Sequence, residues 1–294
     1  MFIQKDYLKK DETVVTAKVE SIELPLERPI LGILLNYMFT TGAAEAAAAV
    51  NEVVVEVIKN GSEVIISAQM GELIAYYLSS KYRKFQVADL GASASAQYII
   101  PVMFGRHWMD DEYFLNPAGF VSLDLKVTQP THTATTTSTW DVILFRLFDS
   151  ALSPKGHFKI STKKAYTAAA AVEYVSLDRA YPYGELIVSE MDGASTDIAT
   201  IISNLKLNID AGGRVPFNQA GADLQYENYL VRDGDRAAVI PNVLIENNFL
   251  ALDLMHPWMG EEMFIKAPDF GSLVLELTGS AAGTIRVTGV ELVR

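Results

Sequence analysis

Two stretches of this chain, 150 residues apart, repeat one another, and no other feature narrows the possible folds as much. Trp108–Thr128 (WMDDEYFLNPAGFVSLDLKVT) lies over Trp258–Thr278 (WMGEEMFIKAPDFGSLVLELT) without a gap. Nine of twenty-one positions are identical, among them Trp108/Trp258, Phe114/Phe264, Phe120/Phe270, Ser122/Ser272, Leu123/Leu273 and Leu125/Leu275. Average residue usage gives roughly one or two such matches by chance. Self-similarity at this period is the mark of a duplicated module.

Further blocks recur in the same order. Val50–Leu78 lies over Ile202–Leu230, each with an alternating apolar strand (Val53, Val55, Val57 against Leu205, Leu207, Ile209) followed by a glycine turn, Asn60-Gly61 against Gly212-Gly213. Upstream, Val19–Ile22 resembles Val172–Val175, and GILL at 32–35 resembles GELI at 184–187. The chain of 294 residues therefore reads as two copies of one module with a seam near 150–165. Residues 1–13 form an N-terminal arm, 14–155 the first module and 156–294 the second.

Period-two alternation bounded by Gly, Pro, Asn and Asp makes each module a set of short antiparallel strands. VVVEVIK-NG-SEVIIS is a hairpin, because Asn-Gly accepts the positive φ angles of a two-residue turn. Helical spacing marks GELIAYYLSSKYRK at 71–84, and AAEAAAAV at 43–50 matches STDIATII at 195–202 in position. A β module of this size must hide its sheet edges, and two packed sheets of about eight strands do so despite long, uneven connections. The expected fold is all-β, two tandem eight-stranded jelly rolls with short helices in the loops.

Chemistry is thin. With no Cys, disulfides and thiolate sites are excluded. The rival reading of a duplicated jelly roll is a two-domain cupin enzyme, which needs clustered His and a carboxylate around a metal. The four histidines, His107, His132, His157 and His256, are scattered, and His107 faces Pro257 in the repeat. Ser161–Lys164 fits S-x-x-K without companion motifs and reads as a solvated basic turn between modules. Asp233-Gly234-Asp235 reads as a plain turn. The acidic runs Asp110-Asp111-Glu112 and Glu261-Glu262 suit an ion, an intersubunit salt bridge or a hydrated loop. There is no G-x-S-x-G and no phosphate loop, so no catalytic, cofactor or metal residue is assigned, and the chain is expected not to be an enzyme. The repeated aromatics Trp108, Trp258, Phe114, Phe264, Phe120 and Phe270 are expected in the core or at a subunit interface.

An apolar strand, a glycine turn and a segment leading to Leu-Ile-Ala-Tyr-Tyr (73–77) or Leu-Gln-Tyr-Glu-Asn-Tyr (224–229), twice in one chain, resembles a known family. It is similar to the double jelly-roll major capsid proteins of tailless icosahedral viruses, the adenovirus-like lineage. Its length is closest to that of corticovirus and finnlakevirus capsid proteins, small bacteriophage shells around an internal membrane. The resemblance runs from about Val14 to Arg294 and carries no catalytic residues. It implies a homotrimer of six similar barrels, tiling of trimers into an icosahedral capsid, minor capsid or penton proteins as partners, and a place in the virion after assembly in the host cytoplasm. A lectin-like or phage spike module that binds without catalysis is the alternative.

Charge refines these expectations. A net charge of −12 argues against direct nucleic-acid binding. The N-terminal sequence has no signal core, and its Lys5, Lys9 and Lys10 alternate with apolar residues. Such a basic, apolar arm suits an anionic membrane surface, and the resemblance implies an internal lipid membrane there; a disordered or trimer-docked tail is the other reading.

Overall fold

The computed structural model describes residues 3–39, 53–79, 88–89, 96–107, 110–129, 138–148, 152–168, 171–190, 197–231, 249–254 and 265–294. The chain divides into two compact units, Met1–Lys159 with Arg294, and Ile160–Val293.

The first unit holds β1 (Ile3–Thr13), β2 (Val19–Glu23), β3 (Ile30–Phe39), β4 (Val54–Lys59), β5 (Glu63–Gln69), helix α1 (Met70–Ser79), the two-residue β6 (Ala88–Asp89), β7 (Ala96–Met103), β8 (Leu123–Thr128) and β9 (Ser138–Leu147). Its strands run in the orders β1-β9-β3-β7-β6 and β2-β8-β4-β5. β10 (His157–Ala168) carries the chain into the second unit. There follow β11 (Val172–Ser176), β12 (Tyr183–Glu190), α2 (Ile198–Ile201), β13 (Ile202–Ile209), β14 (Arg214–Ala220), α3 (Gly221–Val231), β15 (Phe249–Asp253), β16 (Leu273–Gly279) and β17 (Gly283–Val293). Here the orders are β10-β17-β12-β15 and β11-β16-β13-β14. Leaving out β6, the two units have one strand order, first-last-third-sixth against second-seventh-fourth-fifth. That is the jelly roll twice over.

Equivalent hydrogen bonds establish the duplication atom by atom. Leu24 N–H donates to Leu123 O at 2.8 Å, and Leu177 N–H to Leu273 O at 3.0 Å. Ile30 and Leu115 exchange both backbone bonds, as do Tyr183 and Ile265. Leu147 N–H reaches Pro29 O and Leu292 N–H reaches Pro182 O, each at 2.9 Å. Val19 pairs with Thr128 and Val172 with Thr278, so those two strands correspond as the sequence suggests.

Two sequence pairings shift. Val54 and Asn204 both face the strand-final Thr of the repeat, Thr128 and Thr278. Val55 and Val57 therefore match Leu205 and Leu207, two residues away from the expected alignment. The slip is invisible in the sequence because a two-residue shift keeps every side chain on its face. GILL against GELI is off by one, since Ile30 matches Tyr183 and Gly32 therefore matches Glu185. There the pattern offers no guide, because β12 is buried along its whole length and lacks alternation.

The hairpin of β4 and β5 turns at Asn-Gly as expected, but Lys59 pairs with Glu63, so three residues rather than two connect the strands. Asn60 and Gly61 take φ of 52° and 74°, and Ser62 N–H closes on Lys59 O at 3.2 Å. In the second unit the counterpart begins at Asp210, not Gly212, and Asp210, Ala211 and Gly212 all have positive φ. Both turns are tied down alike. Asn60 Oδ1 accepts the Val121 N–H and Asp210 Oδ1 the Gly271 N–H, each at 2.7 Å. Asn60→Ala and Asp210→Ala each remove that bond and place alanine at positive φ, so each is expected to cost about 1–2 kcal/mol in urea unfolding.

In the second unit Leu186, Val188, Ile198, Leu205, Leu207, Leu224, Leu275, Leu277, Ile285 and Val287 form one core cluster. Ile33, Leu35, Val55, Val57, Leu73, Leu125, Val127, Val142 and Leu144 are the buried residues of the matching strands and helix in the first unit. α1 starts where Glu72 Oε2 accepts the Gln69 N–H at 2.8 Å, and it buries Leu73, Ile74, Ala75 and Tyr76. Residues 43–50 and 80–84, expected as helical, lie outside the described residues, as do 130–137 between β8 and β9; among the described residues of 195–202, Ile198–Ile201 is helical.

The expected N-terminal arm is a correction. Ile3–Thr13 is β1, an antiparallel neighbour of β9 through pairs such as Ile3 with Leu147 and Lys5 with Phe145. Alternation of Ile3, Lys5 and Tyr7 outward with Gln4, Asp6 and Leu8 inward is a strand pattern, and β9 offers the backbone to satisfy it.

Candidate functional site

The repeated aromatics separate into three groups. Phe114 is buried against Leu31, Leu147 and Phe145. Phe120 and Phe270 are half-buried and close the same turn, with Phe120 N–H on Pro117 O and Phe270 N–H on Ala267 O. Lys59 Nζ stands 4.8 Å over the Phe120 ring, whereas Phe270 packs on the core of its unit. Trp108, Trp258 and Phe264 lie outside the described residues.

The acidic run before β8 is a built cluster. Asp110 is fully buried, and its carboxylate accepts Arg106 Nε at 2.8 Å and Nη2 at 3.0 Å. Three backbone N–H groups, of Arg106, Glu112 and Tyr113, also donate to it. Arg106 Nη2 reaches Glu112 at 2.6 Å, and Lys155 Nζ reaches the other Glu112 oxygen at 2.7 Å. Two cations thus balance two carboxylates within one unit. The Asp110 bonds hold the Arg106 guanidinium well above its ordinary pKa, and the bond from Lys155, helped by Arg106, lowers Glu112. The cluster is therefore not a hydrated loop, and Asp110 draws its counter-charge from its own chain. Only Asp111 of that run is exposed; Glu261 and Glu262 lie outside the described residues.

The lysines of the N-terminal segment are unequal. Lys9 pairs with Glu20 at 2.9 Å and lies 5.5 Å over Trp140. Lys5 and Lys10 flank the exposed ring of Tyr7 at 5.0 and 5.9 Å. Ser161–Lys164, expected as a solvated turn, lies inside β10, with Lys163 held between Asp178 and Glu291. A buried cation survives there because two carboxylates receive it. Asp233–Asp235 lies outside the described residues.

Among the described residues no group of three His, Asp or Glu is placed to hold a metal. His107 Nε2 is 4.0 Å from Asp110, and His132 and His256 lie outside the described residues. His157 is largely buried, and desolvation, with the Lys59 charge adding to it and Glu63 opposing, lowers its pKa to about 4. The fold thus favours the neutral imidazole. Its contribution is complete above the unfolded value of about 6.5 and is lost as pH falls from there through about 4. Stability is expected to drop by no more than about 3 kcal/mol over that window, and His157→Gln should flatten the slope in urea unfolding across pH 6.5–4. Carboxylates with lowered pKa, such as Asp6, Glu20 and Glu112, begin to lose their contribution near the ordinary carboxylate values, at the acid end of that window, and lose the rest as pH falls through their lowered values.

No family model and no curated protein matches the chain. Solved structures do. The major capsid protein P2 from bacteriophage PM2 is 13% identical, with a TM-score of 0.66 over 100% of this chain and 98% of that one. The major capsid protein of Sulfolobus turreted icosahedral virus is 15% identical, with a TM-score of 0.68 over 100% and 97%. The PBCV-1 capsid structure is 9% identical, with a TM-score of 0.64 over 99% and 93%. With both jelly rolls present and neither chain leaving a domain unmatched, the fold is the double jelly roll of these viral capsid proteins.

Proposed function

We propose that this chain is a non-enzymatic major capsid protein that forms trimers of six barrels and tiles an icosahedral virus shell. The observation that carries the reading is the near-complete mutual coverage with capsid proteins, from β1 to β17. A chain of two like barrels gives a threefold assembly a nearly sixfold outline, which packs on a hexagonal lattice. Obligate interfaces of this kind bury about 2,000–5,000 Å². Exposed Val121, Tyr174, Tyr226 and Phe148 are apolar surface available for such contacts.

The same reading places the protein in the virion, assembled in the host cytoplasm beside minor capsid or penton proteins. An internal membrane then lies on the genome side, and the net charge of −12 suits a shell that does not grip nucleic acid. Lys5 and Lys10, with Tyr7 between them, are the N-terminal groups left to face anionic lipid, since Lys9 is engaged by Glu20.

The test is the assembly state of the purified chain. Sedimentation is expected to show a trimer, and electron microscopy a pseudo-hexagonal capsomer or shell. A well-behaved monomer at high concentration overturns the proposal.

A further inference from the structure

The two units carry the same ion pair with its charges exchanged. Ile30 pairs with Arg146 and Tyr183 with Glu291, and Ile30 and Tyr183 are equivalents, so Arg146 and Glu291 hold one position on the last strand of each unit. The partner comes from the first strand. Asp6 lies opposite Leu144. Lys163 lies over Gly289, the counterpart of Leu144, so closely that a Cβ there would meet Lys163 Cε at 2.7 Å. In the first unit Arg146 Nε and Nη2 donate to Asp6 Oδ2 at 2.9 and 2.6 Å, and Nη1 reaches Glu27 at 3.4 Å. In the second, Lys163 Nζ donates to Glu291 and to Asp178, both at 2.7 Å. First strand acidic and last strand basic becomes first strand basic and last strand acidic. The Asp6–Arg146 pair is partly buried, and the Lys163–Glu291 pair nearly wholly so.

Duplication creates a need for such a device. Two units with one strand order have interchangeable slots for their first strands, within a chain and between copies. Besides its ladder with β9 and the contacts of Lys9 with Glu20 and Trp140, β1 has no buried side chain to fix its place. None of its residues is fully buried, and its pairing with β9 shifts register twice, between Tyr7 and Lys9 and between Lys9 and Glu12. Beside β17, β1 would set Asp6 against Glu291; beside β9, β10 would set Lys163 against Arg146. Either mispairing brings like charges together out of bulk water and leaves two native partners unmatched.

We propose that the exchanged ion pairs Asp6–Arg146 and Lys163–Glu291 are a strand-pairing code that keeps each first strand in its own jelly roll and blocks exchange between units and between copies.

The full chain tests it with charge exchanges that preserve each local pair. Asp6→Lys with Arg146→Glu gives both units the polarity of the second; Lys163→Asp with Glu291→Arg gives both the polarity of the first. All four together restore opposite polarity. Each protein is refolded from urea at one concentration, and species other than the wild-type assembly are quantified by size exclusion with light scattering. Each double variant is expected to raise the misassembled fraction about ten-fold, and the fourfold variant to return it to within about two-fold of wild type. Double variants that refold like wild type overturn the proposal. So does a fourfold variant that misassembles as badly as the doubles, because the defect is then local stability. If one double variant does not fold, the other double and the fourfold variant decide by the same criteria.

Discussion

Asp110→Ala is expected to destabilise the first unit by about 3–5 kcal/mol, the range for removing one partner of a buried ion pair. The carboxylate is fully buried and receives two guanidinium bonds and three backbone N–H groups. Its loss strands Arg106, which is less than one-third exposed, beside Glu112 alone. It also removes the acceptor that shapes the turn before Tyr113 and Phe114, and Phe114 N–H holds Gly156 O at 3.2 Å. Gly105 belongs to the same turn: a Cβ there would meet Tyr113 O at 2.4 Å and Asp110 Cβ at 2.5 Å, so the backbone has no room to close the gap. Asp111→Ala, one residue on and exposed, is expected to change stability by less than about 0.5 kcal/mol. Urea unfolding followed by circular dichroism checks both; an Asp110→Ala midpoint within about 1 kcal/mol of wild type would remove the cluster as a structural hub.

That cluster shows what a sequence of this kind conveys and withholds. Duplication was legible because Trp108–Thr128 and Trp258–Thr278 align without gaps, and once two modules are granted, the alternation in SLDLKVT and SLVLELT leaves little choice but paired antiparallel sheets. Register was less legible. Val55 matches Leu205 rather than Leu207, and it takes the strand pairing with Thr128 and Thr278 and the side-chain bonds of Asn60 and Asp210 to reveal it, since apolar alternation repeats every two residues. Ion pairs were not legible at all. Asp110 and Arg106 are near in sequence, but Lys163 and Glu291 are 128 residues apart, and nothing local marks either as buried. A motif reading made Ser161–Lys164 a turn because two lysines suggest solvent; long-range pairing placed one of them inside. The lysines of the first ten residues, alternating with apolar side chains, read as a membrane-facing arm, although alternate positions of that segment carry Ile3, Lys5 and Tyr7 on one face, as a strand requires.

The aromatic pair with the largest expected effect lies outside the repeat. Trp140 is not shared by the two copies: its counterpart, through the pairing of Tyr37 with Trp140 and of Glu190 with Ile285, is Ile285. In the first unit this position holds a buried indole stacked on Tyr37, with ring centroids 5.6 Å apart and planes 27° apart. Tyr37 in turn donates its hydroxyl to Gln129 Oε1 at 2.8 Å, one residue past the end of β8. Burial holds the Tyr37 proton in place by pushing its pKa far above the ordinary phenol value. Trp140→Ala removes the ring from between β3 and β1 and opens a cavity that neighbouring strands cannot fill without breaking their ladders. The expected cost is about 3–5 kcal/mol. Because Lys9 also lies over that ring, the loss should reach β1, and amide hydrogen exchange of Ile3–Thr13 is expected to speed up more than that of β12 or β17. Trp140→Phe keeps an aromatic face for Tyr37 and is expected to recover more than half of the loss. If Trp140→Ala leaves the exchange of β1 unchanged, the indole is only filler in the core, and the anchoring of the first strand rests on its backbone ladder and its ion pair with Arg146.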